Sequence, residues 1–189
     1  IVKSADRLSQ QINSVLDFTQ GEAGALPVVR KPVDVAELVK TVADSFAERQ
    51  TQNGSTLALD IKPNAGVVMG DSQRLQQALS AIIDNALEHG GKNVRLLVHA
   101  AGDRNSATII VSDNGPGMTA QQQALAFDTF TRSQSAAERS TREGSNAMGL
   151  GLPLARKLVE LHEGRLELES QPGQGTTVAI QLPRNAKAT

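Results

Sequence analysis

Between Asp71 and Ser112 the hydrophobic period changes once. Over Asp71 to Glu88 the residues Leu75, Leu79, Ile82, Ile83 and Ala86 recur at helical spacing, and Gly90 and Gly91 stop the helix. The Val-, Leu- and Ile-rich runs 93–100 and 107–112 then flank Gly102 to Ser106, as two strands of a hairpin with a loop of about five residues. A long helix with one apolar stripe must bury it against another element, and a hairpin must receive something on its apolar face. The same alternation recurs on both sides. Asp34, with Glu37 three residues on, caps a helix over 34–50 through Val35, Leu38, Val39, Val42 and Phe46. Thr56 to Ile61 and Val67 to Met69 read as strands. Pro153 falls in the first turn of a helix carrying Leu154, Leu158, Val159 and Leu161, and Arg165 to Glu169 and Thr177 to Leu182 form a second hairpin around Gly173 and Gly175. The expected fold is a two-layer α/β sandwich: a mixed, mostly antiparallel sheet covered on one face by helices near 34–50, 71–89 and 150–162.

At the start of the chain Ile1, Ala5, Leu8, Ile12, Val15 and Thr19 are spaced alternately by four and three residues, the seam of a helix that packs on another helix. Residues 1–24 therefore read as half of a helical hairpin. Residues 25–33, with Pro27 and Pro32, read as an extended linker, 34–184 as the main domain and 185–189 as a tail. Because the chain opens on Ile1 and not Met, a longer parent protein is expected, with room upstream for a membrane anchor or sensor. No run approaches the ~18 to 20 apolar residues of a membrane span. Nineteen Lys and Arg against 20 Asp and Glu leave a net charge of -1, which provides no field for nucleic acid or an anionic membrane. The absence of cysteine excludes disulfides, thiol nucleophiles and Cys-type zinc sites. With no Trp or Tyr, and Phe only at 18, 46, 127 and 130, stacking on bases is a poor mode of recognition, and backbone and polar groups must do that work.

The residues that carry chemistry stand at the ends of these elements. Asp113-Asn114-Gly115-Pro116-Gly117-Met118 follows directly on the strand 107–112. An Asp there presents its carboxylate to the space beyond the sheet, and two glycines two apart let the backbone approach a ligand closely. At neutral pH a carboxylate only accepts hydrogen bonds, so it suits the exocyclic amino group of adenine and disfavours the carbonyl of guanine. Alone, D-N-G-P-G is more often a plain turn. On the helix 71–88, Arg74, Ala78, Ala81, Asn85 and Glu88 form a stripe beside the core stripe. The Asn85 amide there suits either a hard cation such as Mg²⁺, bridged to phosphates, or an ordinary surface hydrogen bond. Ala147-Met148-Gly149-Leu150-Gly151-Leu152-Pro153 is a glycine-rich turn whose free N–H groups, at the positive end of a helix dipole, favour phosphate. Between these motifs, Thr131 to Asn146 is sixteen residues without Val, Ile, Leu, Met or Phe, and reads as a lid.

Together these elements resemble the ATP-binding domain of bacterial sensor histidine kinases, within the superfamily that also holds type II topoisomerase, mismatch-repair and heat-shock chaperone ATPases. Asp71 to His89 is similar to the N box, Asp113 to Gly117 to the first glycine box, Phe127 to Arg132 to the F box, Gly149 to Leu152 to the second glycine box, and Gly173 to Thr176 to the terminal glycine turn. Ile1 to Gly24 is similar to the second helix of the dimerisation and phosphoacceptor hairpin, through Arg7, Leu8, Leu16, Asp17 and Phe18. The resemblance implies a Bergerat-type fold, with ATP and Mg²⁺ as cofactors. It implies that Asn85 is the catalytic and metal-holding residue, that Asp113 binds adenine, and that Gly115 and Gly117 admit it. It implies that Gly149, Leu150, Gly151 and Leu152 meet the phosphates, and that Glu88, His89, Arg132 and Thr176 complete the nucleotide contacts. Phe127 and Phe130 would anchor the lid base, while Arg132, Arg139 and Arg142 ride on the lid. The implied reaction is γ-phosphate transfer to a phosphoacceptor on the missing first helix and thence to a response regulator. It would be carried out by a cytoplasmic homodimer formed through the hairpin, with no nucleic acid and no membrane contact by these residues.

Three positions depart from the family pattern. Glu88 stands where these kinases commonly carry a Lys facing phosphate, and Ala147 stands where the second glycine box usually begins with Gly. These two open an alternative reading, a degenerate kinase that docks a response regulator or a kinase partner. Ala81 replaces the Glu with which related ATPases activate water, so simple ATP hydrolysis is not expected. His89, His99 and His162 lie outside the first helix, have no metal-ligand spacing, and read as structural or surface residues.

Overall fold

The computed structural model describes residues 16, 19–20, 26–47, 54–128 and 149–184. Most of the N-terminal helix reading, Phe130, Ala147 and the lid reading over 131–146 with Arg132, Arg139 and Arg142 lie outside the described residues. Within them the chain forms β1 (Lys31–Asp34), α1 (Val35–Ser45), β2 (Thr56–Ile61), β3 (Val67–Gly70), α2 (Ser72–His89), β4 (Arg95–Gly102), β5 (Ser106–Asp113), α3 (Ala120–Leu125), α4 (Gly151–Glu160), β6 (Arg165–Gln171) and β7 (Gly175–Pro183). Five strands make one sheet in the order β2-β4-β5-β7-β6; β2 runs parallel to β4 and every other pair is antiparallel.

Both long helices near the N-terminal side begin at the Asp that the sequence marks. The Asp34 carboxylate accepts from the Glu37 N–H at 3.0 Å, and Asp71 accepts from the N–H groups of Gln73 and Arg74 at 3.1 and 3.2 Å, so orphan donors of the first turn are satisfied. Val35, Leu38, Val39 and Val42 of α1, Leu75, Leu79, Ile82 and Ile83 of α2, and Leu154, Ala155, Leu158 and Val159 of α4 pack on one face of the sheet. That face is built by Leu96, Val98 and Ala100 of β4, Ala107, Ile109 and Val111 of β5, Leu166 of β6, and Val178, Ile180 and Leu182 of β7. Ala78 is 0 % exposed and belongs to this core, where the spacing places it on the neighbouring stripe; α4 packs against α2 and widens the buried side of that helix.

Two local differences from the sequence reading have clear causes. The β4–β5 loop is three residues long, not about five. Its tightness comes from Asp103, whose carboxylate accepts from the N–H groups of Asn105 and Ser106 at 2.7 and 2.8 Å; these bonds hold that carboxyl below the usual carboxylate range. The segment read as linker is fastened to the domain. Lys31–Asp34 pairs antiparallel with β3, Leu26 is buried, the Val29 N–H donates to Asp71 at 3.1 Å, and the Arg30 guanidinium bonds Glu163 at 2.6 Å and the Leu161 carbonyl at 3.1 Å. No helix among the described residues is long and apolar enough to cross a membrane.

Candidate functional site

The second half of α2 runs between two turns. A Cβ added at Gly151 would come to 3.7 Å from the Ala81 carbonyl oxygen, so the turn entering α4 rests on α2 one helical turn before Asn85. At the other end a Cβ at Gly115 would come to 2.7 Å from the Gly90 Cα, so the loop after β5 leans on the α2 C-cap. Asn85 lies between these two contacts, half-buried, and its amide has no hydrogen-bond partner among the described residues. Glu88 and His89 are exposed on the last turn of the same helix.

At the β5 end, the half-buried Asp113 carboxylate accepts from the Gly115 N–H at 2.8 Å and from the Thr176 N–H. Burial pushes its carboxyl above the usual range, and the two hydrogen bonds and nearby His89 offset this only in part. The terminal glycine turn packs directly on this loop: Gly173 donates to the Pro116 carbonyl at 2.7 Å, and any side chain at Gly175 would strike the Asp113 carbonyl. Gly117, at φ +66°, faces the Gln171 carbonyl as closely, so the fold requires glycine at 117 before any ligand enters. This is a different cause from ligand access, the one read from the sequence.

Thr176 is buried beside Asp113, and the group that fixes it is Ser170, which sequence reasoning missed. The Ser170 hydroxyl accepts from the Met118 N–H at 2.8 Å, donates to the Gly175 carbonyl at 2.8 Å, and lies 2.9 Å from the Thr176 hydroxyl. Its signal was a small polar residue in the inward phase of β6, following Leu166 and Leu168 at every second position.

At the other end Gly149 has φ +66°, and α4 begins at Leu150 without any side-chain cap. Among the described residues the N–H groups of Gly151 and Leu152 therefore have no capping side chain, and Pro153 has no N–H to satisfy. Leu150 and Leu152 are each only 5 % exposed, so their side chains belong to the core and only their main chain is offered at this turn. Phe127 packs partly buried on the core, with the Arg156 guanidinium 3.5 Å from its ring centroid; the lid it is read to anchor lies outside the described residues.

The donor set fits a purine nucleotide with a hard cation. Among the described residues, a half-buried acceptor stands at one end, amides without a side-chain cap at the other, and an amide without a partner between them. Among the described residues no cluster of three His, Asp or Glu exists that would hold a metal by itself. A single Asn85 oxygen suits a cation that takes its remaining ligands from phosphate and water, as Mg²⁺ does. The other histidines are structural. His162, 1 % exposed, accepts from the Asp71 N–H through Nε2 at 2.9 Å and donates from Nδ1 to the Leu158 carbonyl at 2.7 Å, a tautomer set by its partners. His99 lies 2.9 Å from Asp60 on β2, and Lys62 and His99 together hold the Asp60 carboxyl below the usual range.

Residues 70–186 match the family described as histidine kinase-, DNA gyrase B-, and HSP90-like ATPase. The chain is 32% identical over 180 residues to the sensor protein DivL of Caulobacter vibrioides, covering 95% of this chain and 22% of that protein. It is 34% identical over 188 residues to the signal transduction histidine-protein kinase/phosphatase MprB of Mycobacterium ulcerans, covering 97% and 34%. It thus spans about a fifth to a third of the length of these relatives. The crystal structure of full-length ShkA in complex with AMPPNP superposes with a TM-score of 0.81 at 25% identity, over 99% of this chain and 38% of that one. With the family match running over more than half of its residues, the chain belongs to the histidine kinase-, DNA gyrase B- and HSP90-like ATPases, as an ATP-binding domain of the sensor histidine kinase kind.

Proposed function

We propose that this chain binds Mg-ATP and serves as the catalytic part of a two-component sensor kinase. The observation that carries the reading is the line along α2: the half-buried Asp113 carboxylate at one end, the start of α4 with no N-cap side-chain bond at the other, and between them the Asn85 amide, which has no partner among the described residues. Asp113 accepts from the adenine amino group, with Thr176 beside it. The main-chain N–H groups of Gly151 and Leu152 hold phosphate oxygens. The Asn85 oxygen holds Mg²⁺, which screens the charge of the transferring phosphate. Ala81 leaves no carboxylate one turn before Asn85 to activate water, so the phosphoryl group is kept for transfer. It passes to an imidazole nitrogen of a histidine on a helix outside these 189 residues, breaking the bond to ADP, and then to an Asp of a response regulator.

In this reading residues 34–184 carry the nucleotide, 1–24 belong to a hairpin that forms a homodimer, 25–33 join the two, and 185–189 are a tail. The domain works in the cytoplasm, where ATP is available. The alternative, a degenerate kinase used as a docking module, is favoured by one observation: Glu88, which stands where the resembled kinases carry a Lys facing phosphate, is an exposed carboxylate one turn past Asn85. The two are separated by incubating γ-labelled ATP with this chain alone and with a version extended to include the first hairpin helix. Acid-labile label is expected on a histidine of the added helix and on no histidine of this chain. Label on His89, His99 or His162 contradicts the proposal, and an extended version that docks a response regulator without taking up label supports the alternative.

A further inference from the structure

We infer that Ser170 is a specificity-determining positioning residue: it holds the proton of the Thr176 hydroxyl away from Asp113, so that the base end of the site offers acceptors only. This rests on the reading of Asp113 as the partner of adenine. Asp113, Thr176 and Ser170 form one row across three adjacent strands, because Thr176 is the cross-strand partner of Asp113 on β5 and of Ser170 on β6. The inward phase of each strand places all three side chains on the helix-covered side, with Val111, Val178 and Leu166 further along it.

Hydrogen-bond counting then fixes the direction of every proton in the row. A serine hydroxyl has one proton to donate and two lone pairs to accept with. The Ser170 proton goes to the Gly175 carbonyl at 2.8 Å, and one lone pair takes the Met118 N–H at 2.8 Å. The 2.9 Å contact with Thr176 can then be made only with the Thr176 hydroxyl as donor. That hydroxyl therefore turns its proton toward β6 and away from its other neighbour in the row, the Asp113 carboxylate. Ser170 itself is held in place by Gln123 of α3, whose amide accepts from the Ser170 N–H at 3.2 Å and donates to the Ser170 carbonyl at 2.8 Å, as a neighbouring strand would.

The consequence is a sorting of purines at position 6. With its proton committed to Ser170, the Thr176 oxygen presents only lone pairs, and the Thr176 hydroxyl takes up none of the Asp113 acceptor capacity left over by the N–H groups of Gly115 and Thr176. A 6-amino purine meets two acceptors, whereas a 6-oxo purine meets like against like. Removing the Ser170 hydroxyl frees the Thr176 proton. It can then turn to the carboxylate, competing with the adenine amino group, or toward a 6-oxo group as a donor.

The test is the ratio of dissociation constants for ITP and ATP, measured with Mg²⁺ by competition against a fluorescent ATP analogue. Wild type is expected to favour ATP strongly. Ser170→Ala is expected to narrow the ratio by about tenfold, and Ser170→Thr, which keeps the hydroxyl, to restore it to within about twofold. A general packing defect would weaken both nucleotides together and leave the ratio unmoved, so an unchanged ratio in a folded Ser170→Ala overturns the inference. Should Ser170→Ala fail to fold, Thr176→Val replaces it, because it deletes the acceptor in a nearly isosteric side chain. Its ratio is expected to narrow likewise, and an unchanged ratio overturns the inference. A wild-type protein that binds neither nucleotide overturns the underlying adenine reading instead, an outcome distinct from both.

Discussion

Asp113→Asn is expected to weaken Mg-ATP binding by about a hundredfold, roughly 2.7 kcal/mol, while leaving the thermal midpoint of the protein unchanged or higher. The N–H groups of Gly115 and Thr176 both point at this side chain and will recruit the amide oxygen of the new Asn. Its NH₂ is then left facing the adenine amino group, donor against donor. The fold does not suffer in the same way, because burial disfavours the charged carboxyl more than its hydrogen bonds favour it. The folded-state value lies above the unfolded one. Whatever stability Asp113 contributes is therefore fully present below the unfolded value and is lost as pH rises through the folded one. Nucleotide binding needs the opposite, charged form, so ATP affinity should fall on mild acidification before an ordinary carboxylate would titrate. Paired calorimetric titrations and thermal melts check both halves; retained affinity together with a midpoint lowered by several degrees would refute the assignment.

His162→Phe is expected to destabilise the fold by about 2–4 kcal/mol with little direct effect on the nucleotide site. The ring fills its space, which is tight: a Cβ at Gly70 would come to 2.9 Å from His162 Cδ2. The Asp71 N–H and the Leu158 carbonyl, however, each lose a partner in a buried setting. The imidazole thus ties the end of α4 to the start of α2, the two helices that flank the candidate phosphate site. Burial is the main cause that lowers the His162 pKa, with the Leu158 bond opposing it, the charge of Arg30 adding to it and Asp71 opposing it. The sign follows from linkage: stability is fully present above the unfolded value of about 6.5 and is lost as pH falls from there toward the folded value. Urea unfolding of wild type should therefore show lower stability at about pH 5.5 than at about pH 7.5, and His162→Phe should lose that part of the pH dependence. Equal stability of the two proteins at neutral pH would contradict the structural role.

The parts of the fold that were legible in the sequence are those fixed by local chemistry. The helix after Asp71 could be read because its period, its cap and its Gly90-Gly91 stop agree over 18 residues. The Asp113 loop and the turn before α4 could be read because glycine spacing at the end of a strand or the start of a helix has few other causes. What could not be read depends on partners far along the chain. β1 is four residues containing Pro32, and its extended form was legible, but its pairing with β3 is a contact across more than thirty residues. The spacing puts Ala78 on the stripe beside the core, and only the packing of α4 on α2 buries that side. Gly117 looked like a ligand-facing glycine, yet the Gln171 carbonyl of a neighbouring strand already demands it. Ser170 and His162 are single polar residues within apolar phases, and a sequence gives no sign of which backbone groups will reach them.

Whether Asp113 and the Gly149 to Leu152 turn, on either side of Asn85, form one adenine nucleotide site is decided by titrating the purified chain with ATP and with GTP in the presence of Mg²⁺. A saturable heat with ATP that removal of Mg²⁺ weakens is expected, with binding of GTP at least about tenfold weaker. No heat with ATP, and no displacement of a fluorescent ATP analogue at millimolar nucleotide, would contradict it.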